Sequence, residues 1–121
     1  MKILFLVNHE LFAQTVVSLF LVDHEVKVTP NIGDALELFR TGEFELALAD
    51  YDLDDGKGDA FVRTVRTIAP NFPIVAVSAR DEGNAALVHA GANSICHKKD
   101  FRRIGSVIAI LARETNPTLP C

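Results

Sequence analysis

Four aspartates crowd one short stretch of the chain, Asp50, Asp52, Asp54 and Asp55, and each is a candidate nucleophile or oxygen ligand. Position separates the first from the others. Asp50 comes directly after Leu46-Ala47-Leu48-Ala49, an uncharged apolar run of strand length, and Gly56 and Gly58 close the stretch. A run that is apolar at every residue is a strand buried on both faces, so Asp50 is the carboxylate this strand delivers to a surface loop. In open α/β sheets, ligands and chemistry collect outside the carboxyl ends of parallel strands, which makes Asp50 a site residue by position. The spacing Asp50, Asp52, Asp54 also matches the start of an EF-hand calcium loop. Asp55 stands where that loop needs glycine and Phe61 where it needs a bidentate glutamate, so the match fails where the geometry is decided. His9 allows two readings, a ligand or base near Asp50, or a histidine at a helix N-terminus; His24, His89 and His97 form no ligand spacing.

The elements that must position Asp50 are set by hydrophobic period. Residues 3–7, Ile-Leu-Phe-Leu-Val, form a first buried strand that ends at Asn8-His9-Glu10. Leu11, Phe12, Thr15, Val16, Leu19 and Phe20 recur at helical spacing as the inward side of a first helix. Residues 25–28 alternate as a second strand whose charges place it at an edge. Asn31 caps a second helix with Ile32, Ala35, Leu36 and Phe39 inward, ending at Thr41-Gly42. The run before Asp50 is the third strand. A third helix after Gly58 turns Phe61, Val62, Val65 and Ile68 inward and Arg63 and Arg66 outward, until Pro70. Residues 74–77 form a fourth buried strand ending in Ser78-Ala79, and a fourth helix runs from Asp81 or Glu82 to His89, closed by Gly91. Residues 93–97 are a weaker fifth strand before Lys98-Lys99, and a fifth helix from about Phe101 carries Ile104, Val107, Ile108 and Leu111 at core spacing.

Regular alternation of strand and helix implies right-handed crossovers and a parallel sheet covered on both faces. The strand order 2-1-3-4-5 makes Asn8-His9-Glu10 and Asp50 neighbours at the switch point. An Asp-x-Asp pair, Asp50-Tyr51-Asp52, also occurs in aspartate-based phosphatases of the haloacid dehalogenase type. There it belongs on the first strand of a larger enzyme, and here it comes after the third strand of a small domain.

At 121 residues the chain is one domain with enough length for a core, and 49% hydrophobic with 23% charged residues excludes a disordered tail or coiled coil. A net charge of -4 argues against direct nucleic-acid binding, and the basic cluster Lys98, Lys99, Arg102 and Arg103 reads as a solvated or protein-docking face. Cys96 and Cys121 lack metal-ligand spacing and read as reduced thiols of a cytoplasmic protein. No run has the length of a membrane span. Residues 114–121, with Pro117 and Pro120, read as a tail or linker after a domain over 1–113.

Three strand ends taken together are specific. Asp50 has Leu53 at the third position after it and Gly58 at the eighth, Ser78-Ala79 closes the fourth strand, and Lys98 comes seven residues after Gly91. In this register the chain resembles the CheY-like receiver domain of bacterial two-component response regulators, a flavodoxin-like doubly wound α/β fold. The resemblance implies that Asp50 is a phosphoacceptor forming an acyl phosphate, with Lys98, Ser78 and Ala79 contacting the phosphoryl group. It implies a sensor histidine kinase or phosphotransfer protein as donor, and an output protein or domain reached through helix four, strand five and helix five. The molecule would then be a signalling module and not an enzyme.

The chain also departs from that family. Where the family has an acidic pair holding Mg²⁺, the residues are Asn8 and His9, which offer one neutral oxygen and a nitrogen to an ion that wants hard oxygen donors. Mg²⁺ binding is therefore expected to be weak or absent, with Glu10 or Asp52 returning part of the charge. The family's proline after the lysine is Lys99, so a trans bond is expected there. Ile95 occupies the position of a switching aromatic. Asp50, Ser78 and Lys98 favour a phosphorylatable receiver, whereas Asn8, His9 and Ile95 favour a pseudo-receiver that acts as a phosphorylation-independent binding module.

Overall fold

The computed structural model describes residues 1–115. The strands of the main sheet are β1 (Lys2–Leu6), β2 (Glu25–Thr29), β3 (Leu46–Ala49), β4 (Ile74–Ala76) and β5 (Ser94–Ile95). They alternate with α1 (Glu10–Phe20), α2 (Ile32–Phe39), α3 (Asp59–Ile68), α4 (Asp81–Ala90) and α5 (Ile104–Thr115). All main-sheet pairings are parallel, in the order β2-β1-β3-β4-β5, as the alternating pattern requires. The tail expected over 114–121 lies, from residue 116 on, outside the described residues. No helix among the described residues is long and apolar enough to cross a membrane.

Side chains of a strand alternate between faces, and the two halves of the core divide on that rule. Ile3, Phe5, Leu46 and Leu48 meet Ala13 and Val16 of α1 and Ile104, Ile108 and Leu111 of α5. Leu4, Leu6, Ala47 and Ala49 meet Ala35 and Phe39 of α2, Phe61, Val62 and Val65 of α3, and Leu87 of α4. Edge position and charge agree in β2, where Glu25 and Lys27 are exposed. The expected caps also form: Asn31 Oδ1 accepts the Asp34 N–H at 2.8 Å, and Gly91 ends α4 at φ +127°.

Several local expectations are corrected. In α1 the buried residues are Ala13 and Val16, while Leu11 and Leu19 are 69% and 63% exposed. The small Ala13 lets α1 lie close to the sheet, and Phe12 and Phe20 lean sideways onto Phe101, with ring centroids at 5.5 and 6.3 Å. Ile68, expected inward, is 52% exposed at the end of α3. Arg66, expected outward, is half-buried and donates to the carbonyls of Gly91 at 2.9 Å and Phe72 at 2.7 Å and to Asn93 Oδ1 at 2.8 Å. Burial holds its guanidinium below the usual arginine range.

The fifth strand is only Ser94–Ile95, because Asn93 turns its side chain to the Ile74 N–H and His97 caps a 3-10 turn over Lys98–Arg103. Helix α5 accordingly starts at Ile104 instead of Phe101. The acidic stretch contains an unforeseen hairpin, Asp52–Leu53 paired antiparallel with Gly56–Lys57.

Candidate functional site

Parallel register brings the strand ends into one row. The Asp50 N–H donates to the Leu6 carbonyl at 3.0 Å, and the Val77 N–H to the Ala49 carbonyl at 3.0 Å. Further along the sheet, the Cys96 N–H donates to the Ala76 carbonyl at 2.8 Å and the Lys98 N–H to the Ser78 carbonyl at 3.4 Å. Asp50, Ser78 and Lys98, which lie far apart in sequence, thus project from adjacent strand ends. They are the three residues whose convergence the sequence implied.

Asp50 is 4% exposed, and Lys98 Nζ sits 2.5 Å from its Oδ2. Its other carboxylate oxygen, Oδ1, accepts the Tyr51 N–H at 2.7 Å. Lys98 Nζ lies 5.0 Å from the centre of the Phe12 ring, so the ammonium has an aromatic face as well as a carboxylate. Gly58 anchors the loop from below. Its N–H donates to the Tyr51 carbonyl at 2.6 Å, and a Cβ at this position would lie 1.9 Å from the Asp50 carbonyl oxygen.

Ser78 is 2% exposed and is held by a residue that sequence reasoning missed. Asn84, buried in α4, accepts the Ser78 N–H at 2.8 Å with Oδ1 and donates to the Ser78 carbonyl at 3.0 Å with Nδ2. The available signal was a polar residue three before Leu87 on the inward face of a helix. The Ser78 hydroxyl oxygen accepts the Arg80 N–H at 3.0 Å. Gly83 packs directly on this hydroxyl, since a Cβ there would stand 2.5 Å from Ser78 Oγ and 3.0 Å from Tyr51 Cβ. Asn84→Ala leaves the buried Ser78 N–H without a partner and the Ser78 carbonyl with only the 3.4 Å bond from the Lys98 N–H, and urea unfolding should register a loss of about 1–3 kcal/mol. Ala79 beside Ser78 is exposed.

Of the positions expected for a degenerate metal site, His9 and Asp52 are otherwise engaged. His9 is the N-cap of α1, and its Nδ1 accepts the Phe12 N–H at 3.0 Å, so the helix-terminal reading of this histidine is the observed one. Asn8 is exposed and faces a cleft of about 750 Å³ bounded by α1 and the β2 edge, on whose rim Asp54 also stands.

Asp52 takes Lys57 Nζ at 2.5 Å on Oδ1 and Arg80 Nη2 at 3.2 and 2.9 Å on its two oxygens. The Lys57 hydrogen bond, with the Arg80 charge adding to it, holds the Asp52 carboxyl below the usual carboxylate range. Asp55 reaches across to cap α2, accepting the N–H groups of Ile32 at 2.7 Å and Gly33 at 3.0 Å, and these bonds lower its carboxyl in turn. Among the described residues no group of three or more His, Cys, Asp or Glu is placed to hold a metal ion. Mg²⁺ asks for several free oxygen donors, and this set does not fit it: Asn8 is a neutral amide, Asp50 and Asp52 are already paired with cations, and Glu10 is exposed on α1 with Oε1 accepting from Gln14 Nε2 at 3.3 Å.

Ile95, on the edge strand β5, is 49% exposed. The peptide bonds of the described residues are all trans, including the one after Lys98.

The sequence matches the family model of the response regulator receiver domain over residues 4–109. Solved structures of similar fold include a CheY-like response regulator receiver domain protein from Methanospirillum hungatei JF-1, 20% identical, with a TM-score of 0.84 over 96% of each chain. The response regulator protein TrrA from Thermotoga maritima, in complex with Mg²⁺-BeF, is 17% identical with a TM-score of 0.81, over 91% of this chain and 97% of that one. NtrX from Brucella abortus, in complex with ADP, is 21% identical with a TM-score of 0.82, and 96% of this chain corresponds to 27% of that one. None of the curated proteins matches the sequence.

Proposed function

Since the chain belongs to the response regulator receiver domain family, we propose that it takes a phosphoryl group on Asp50 in two-component signal transduction and then offers a changed surface to a partner protein. The observation that carries this reading is the largely buried pair of Asp50 and Lys98, 2.5 Å apart, with Ser78 buried at the adjoining strand end. An Asp50 carboxylate oxygen attacks phosphorus on a phosphohistidine or a small acyl phosphate. The donor's P–N or P–O bond breaks, and its electron pair leaves with the donor. Lys98 moves its ammonium from the consumed carboxylate charge to a phosphoryl oxygen, so no new cation has to be brought from solvent. Ser78, whose oxygen already accepts the Arg80 N–H, directs its proton to a second phosphoryl oxygen. The small Ala79 leaves room for the group.

The donor is a sensor histidine kinase or phosphotransfer protein. The output surface is α4, β5 and α5, where Val88 and Ile95 are 41% and 49% exposed. With isoleucine at position 95, where the family has a switching aromatic, switching uses another element. In this reading the domain, residues 1–113, is a cytoplasmic signalling module with weak or no Mg²⁺ binding, no direct contact with nucleic acid and no enzymatic turnover.

A second reading, a phosphorylation-independent binding module, is favoured by the engagement of His9 as a cap and the neutrality of Asn8. Incubation with acetyl phosphate or the cognate kinase separates the two readings. The first predicts a base-labile phosphoryl adduct that maps to Asp50 by mass spectrometry and is absent from Asp50→Asn. Failure with both donors at high Mg²⁺ leaves the binding module.

A further inference from the structure

We propose that Arg80, supported by Lys57, takes the place of the divalent cation at this site, so that Asp50 accepts a phosphoryl group without metal; this rests on the reading of Asp50 as phosphoacceptor. Arg80 and Lys57 converge on one carboxylate, Asp52, two residues beyond Asp50. Both cations also stand over the ring of Tyr51, the residue between those two aspartates, at 5.6 and 5.3 Å from its centre. The backbone ties them closer still. The Tyr51 N–H is on Asp50 Oδ1, and the Arg80 N–H is on Ser78 Oγ. Gly83, without a side chain, lets the Tyr51 and Ser78 loops close on one another, because a Cβ there would touch both. Arg80 therefore extends from the same short segment as the hydroxyl proposed to hold the phosphoryl group.

Charge decides what this arrangement favours. Around the strand ends, Lys98 is paired with Asp50, while Arg80 and Lys57 share the single carboxylate of Asp52, so that one carboxylate holds two cations and one of them can turn to a phosphoryl group. A site awaiting Mg²⁺ needs the opposite balance, an excess of carboxylate. The Arg80–Asp52 pair is half exposed on both sides and contributes little by being intact. Once a phosphoryl group sits on Asp50, its oxygens offer the guanidinium fork a stronger, charge-assisted partner. Lys57 stays on Asp52 and neutralises it. With acetyl phosphate, the Asp50 oxygen bonds to phosphorus, the bond from phosphorus to the acetyl oxygen breaks, and acetate leaves with the electron pair. A carboxylate is consumed and a carboxylate released, so the step needs no proton, and the charge on the phosphoryl oxygens is met by Lys98 and Arg80.

The experiment incubates the full chain with acetyl phosphate, and in parallel with phosphoramidate, in excess EDTA or in excess Mg²⁺. The Asp50 adduct is followed by intact mass, for the wild type, Arg80→Ala and Arg80→Lys. The proposal expects equal labelling of the wild type in both conditions, about a tenfold or greater slowing of Arg80→Ala in EDTA, and partial recovery in Arg80→Lys. Far-ultraviolet circular dichroism of the variants should match the wild type, since Arg80 is exposed. Labelling that requires Mg²⁺, or Arg80→Ala labelled in EDTA as fast as the wild type, overturns the cation replacement and leaves Asp50 as the acceptor. No labelling with either donor in either condition overturns the acceptor reading, and the replacement with it.

Discussion

Gly58→Ala is expected to lower the free energy of unfolding by about 3 kcal/mol, at the upper end of what overpacking usually costs. The cause is close approach and not backbone conformation, because Gly58 has φ -61° and ψ -21°, which alanine adopts freely. An added Cβ would lie 1.9 Å from the Asp50 carbonyl oxygen and 3.1 Å from its carbonyl carbon, with Leu87 Cδ2 at 3.3 Å on another side. A leucine methyl can yield by rotation, but a backbone carbonyl cannot. Either the start of α3 lifts away from the sheet, or the segment carrying Asp50 shifts and strains its N–H bond to Leu6. Urea unfolding monitored by circular dichroism measures the loss. Gly105→Ala is the control, since Gly105 lies inside α5 with nothing within 4 Å of a new Cβ. That substitution should stabilise by roughly 0.5–1 kcal/mol, through helix propensity alone. A loss at Gly58 no larger than a few tenths would show that the loop relaxes freely and that the glycine is not needed for the approach.

The order of elements was legible because buried parallel strands write themselves as uninterrupted apolar runs and the helices between them keep a helical period. Leu46-Ala47-Leu48-Ala49 announces both a central strand and, at its carboxyl end, the place of Asp50. Helix phase was less legible. In α1 hydropathy selects the large residues Leu11 and Leu19 as core, whereas the helix rests on Ala13, because closeness to the sheet favours a small residue that hydropathy alone undervalues.

The site divides in the same way. Asp50, Ser78 and Lys98 can be placed from sequence, since each follows closely on the carboxyl end of its own strand and parallel register sets those ends side by side. Asn84, Asp55 and Arg80 could not be placed, because their partners, at Ser78, at the start of α2 and at Asp52, lie on other segments or on backbone atoms that carry no sequence signature. The acidic stretch is the clearest case. Its aspartates look alike in sequence, yet one is paired with a half-buried lysine, one with two exposed cations, and one caps a helix.

Lys98→Met should destabilise by about 3 kcal/mol, and a second substitution, Asp50→Asn, should restore a large part of that loss. Methionine keeps an apolar stem but removes the ammonium, which lies over the Phe12 ring. Asp50, 5% exposed at its side chain, is then a buried carboxylate whose remaining hydrogen bond comes from the Tyr51 N–H. Breaking a buried ion pair by removing one partner costs about 3–5 kcal/mol, and the low end applies because the lysine side is 18% exposed and water can enter beside it. Asparagine at position 50 removes the charge while its Oδ1 still accepts the Tyr51 N–H. In the double variant nothing ionised is left without a partner. Asp50→Asn alone strands the lysine, which has a flexible stem and a path to solvent, and should cost only about 1 kcal/mol. The double-mutant cycle should therefore return a coupling of about 2.5 kcal/mol or more, the sign of a direct interaction. Additive losses, with the double variant less stable than Lys98→Met by the full cost of Asp50→Asn, would mean that the 2.5 Å pair makes no energetic connection between the strand ends. A strong coupling means that the charge balance at Asp50 contributes to the stability of the fold. Consuming the carboxylate charge by phosphorylation then perturbs the same energy that holds the segment after β5 to the segment after β3, which gives a modified Asp50 a physical route to the exposed Ile95 that needs no aromatic switch.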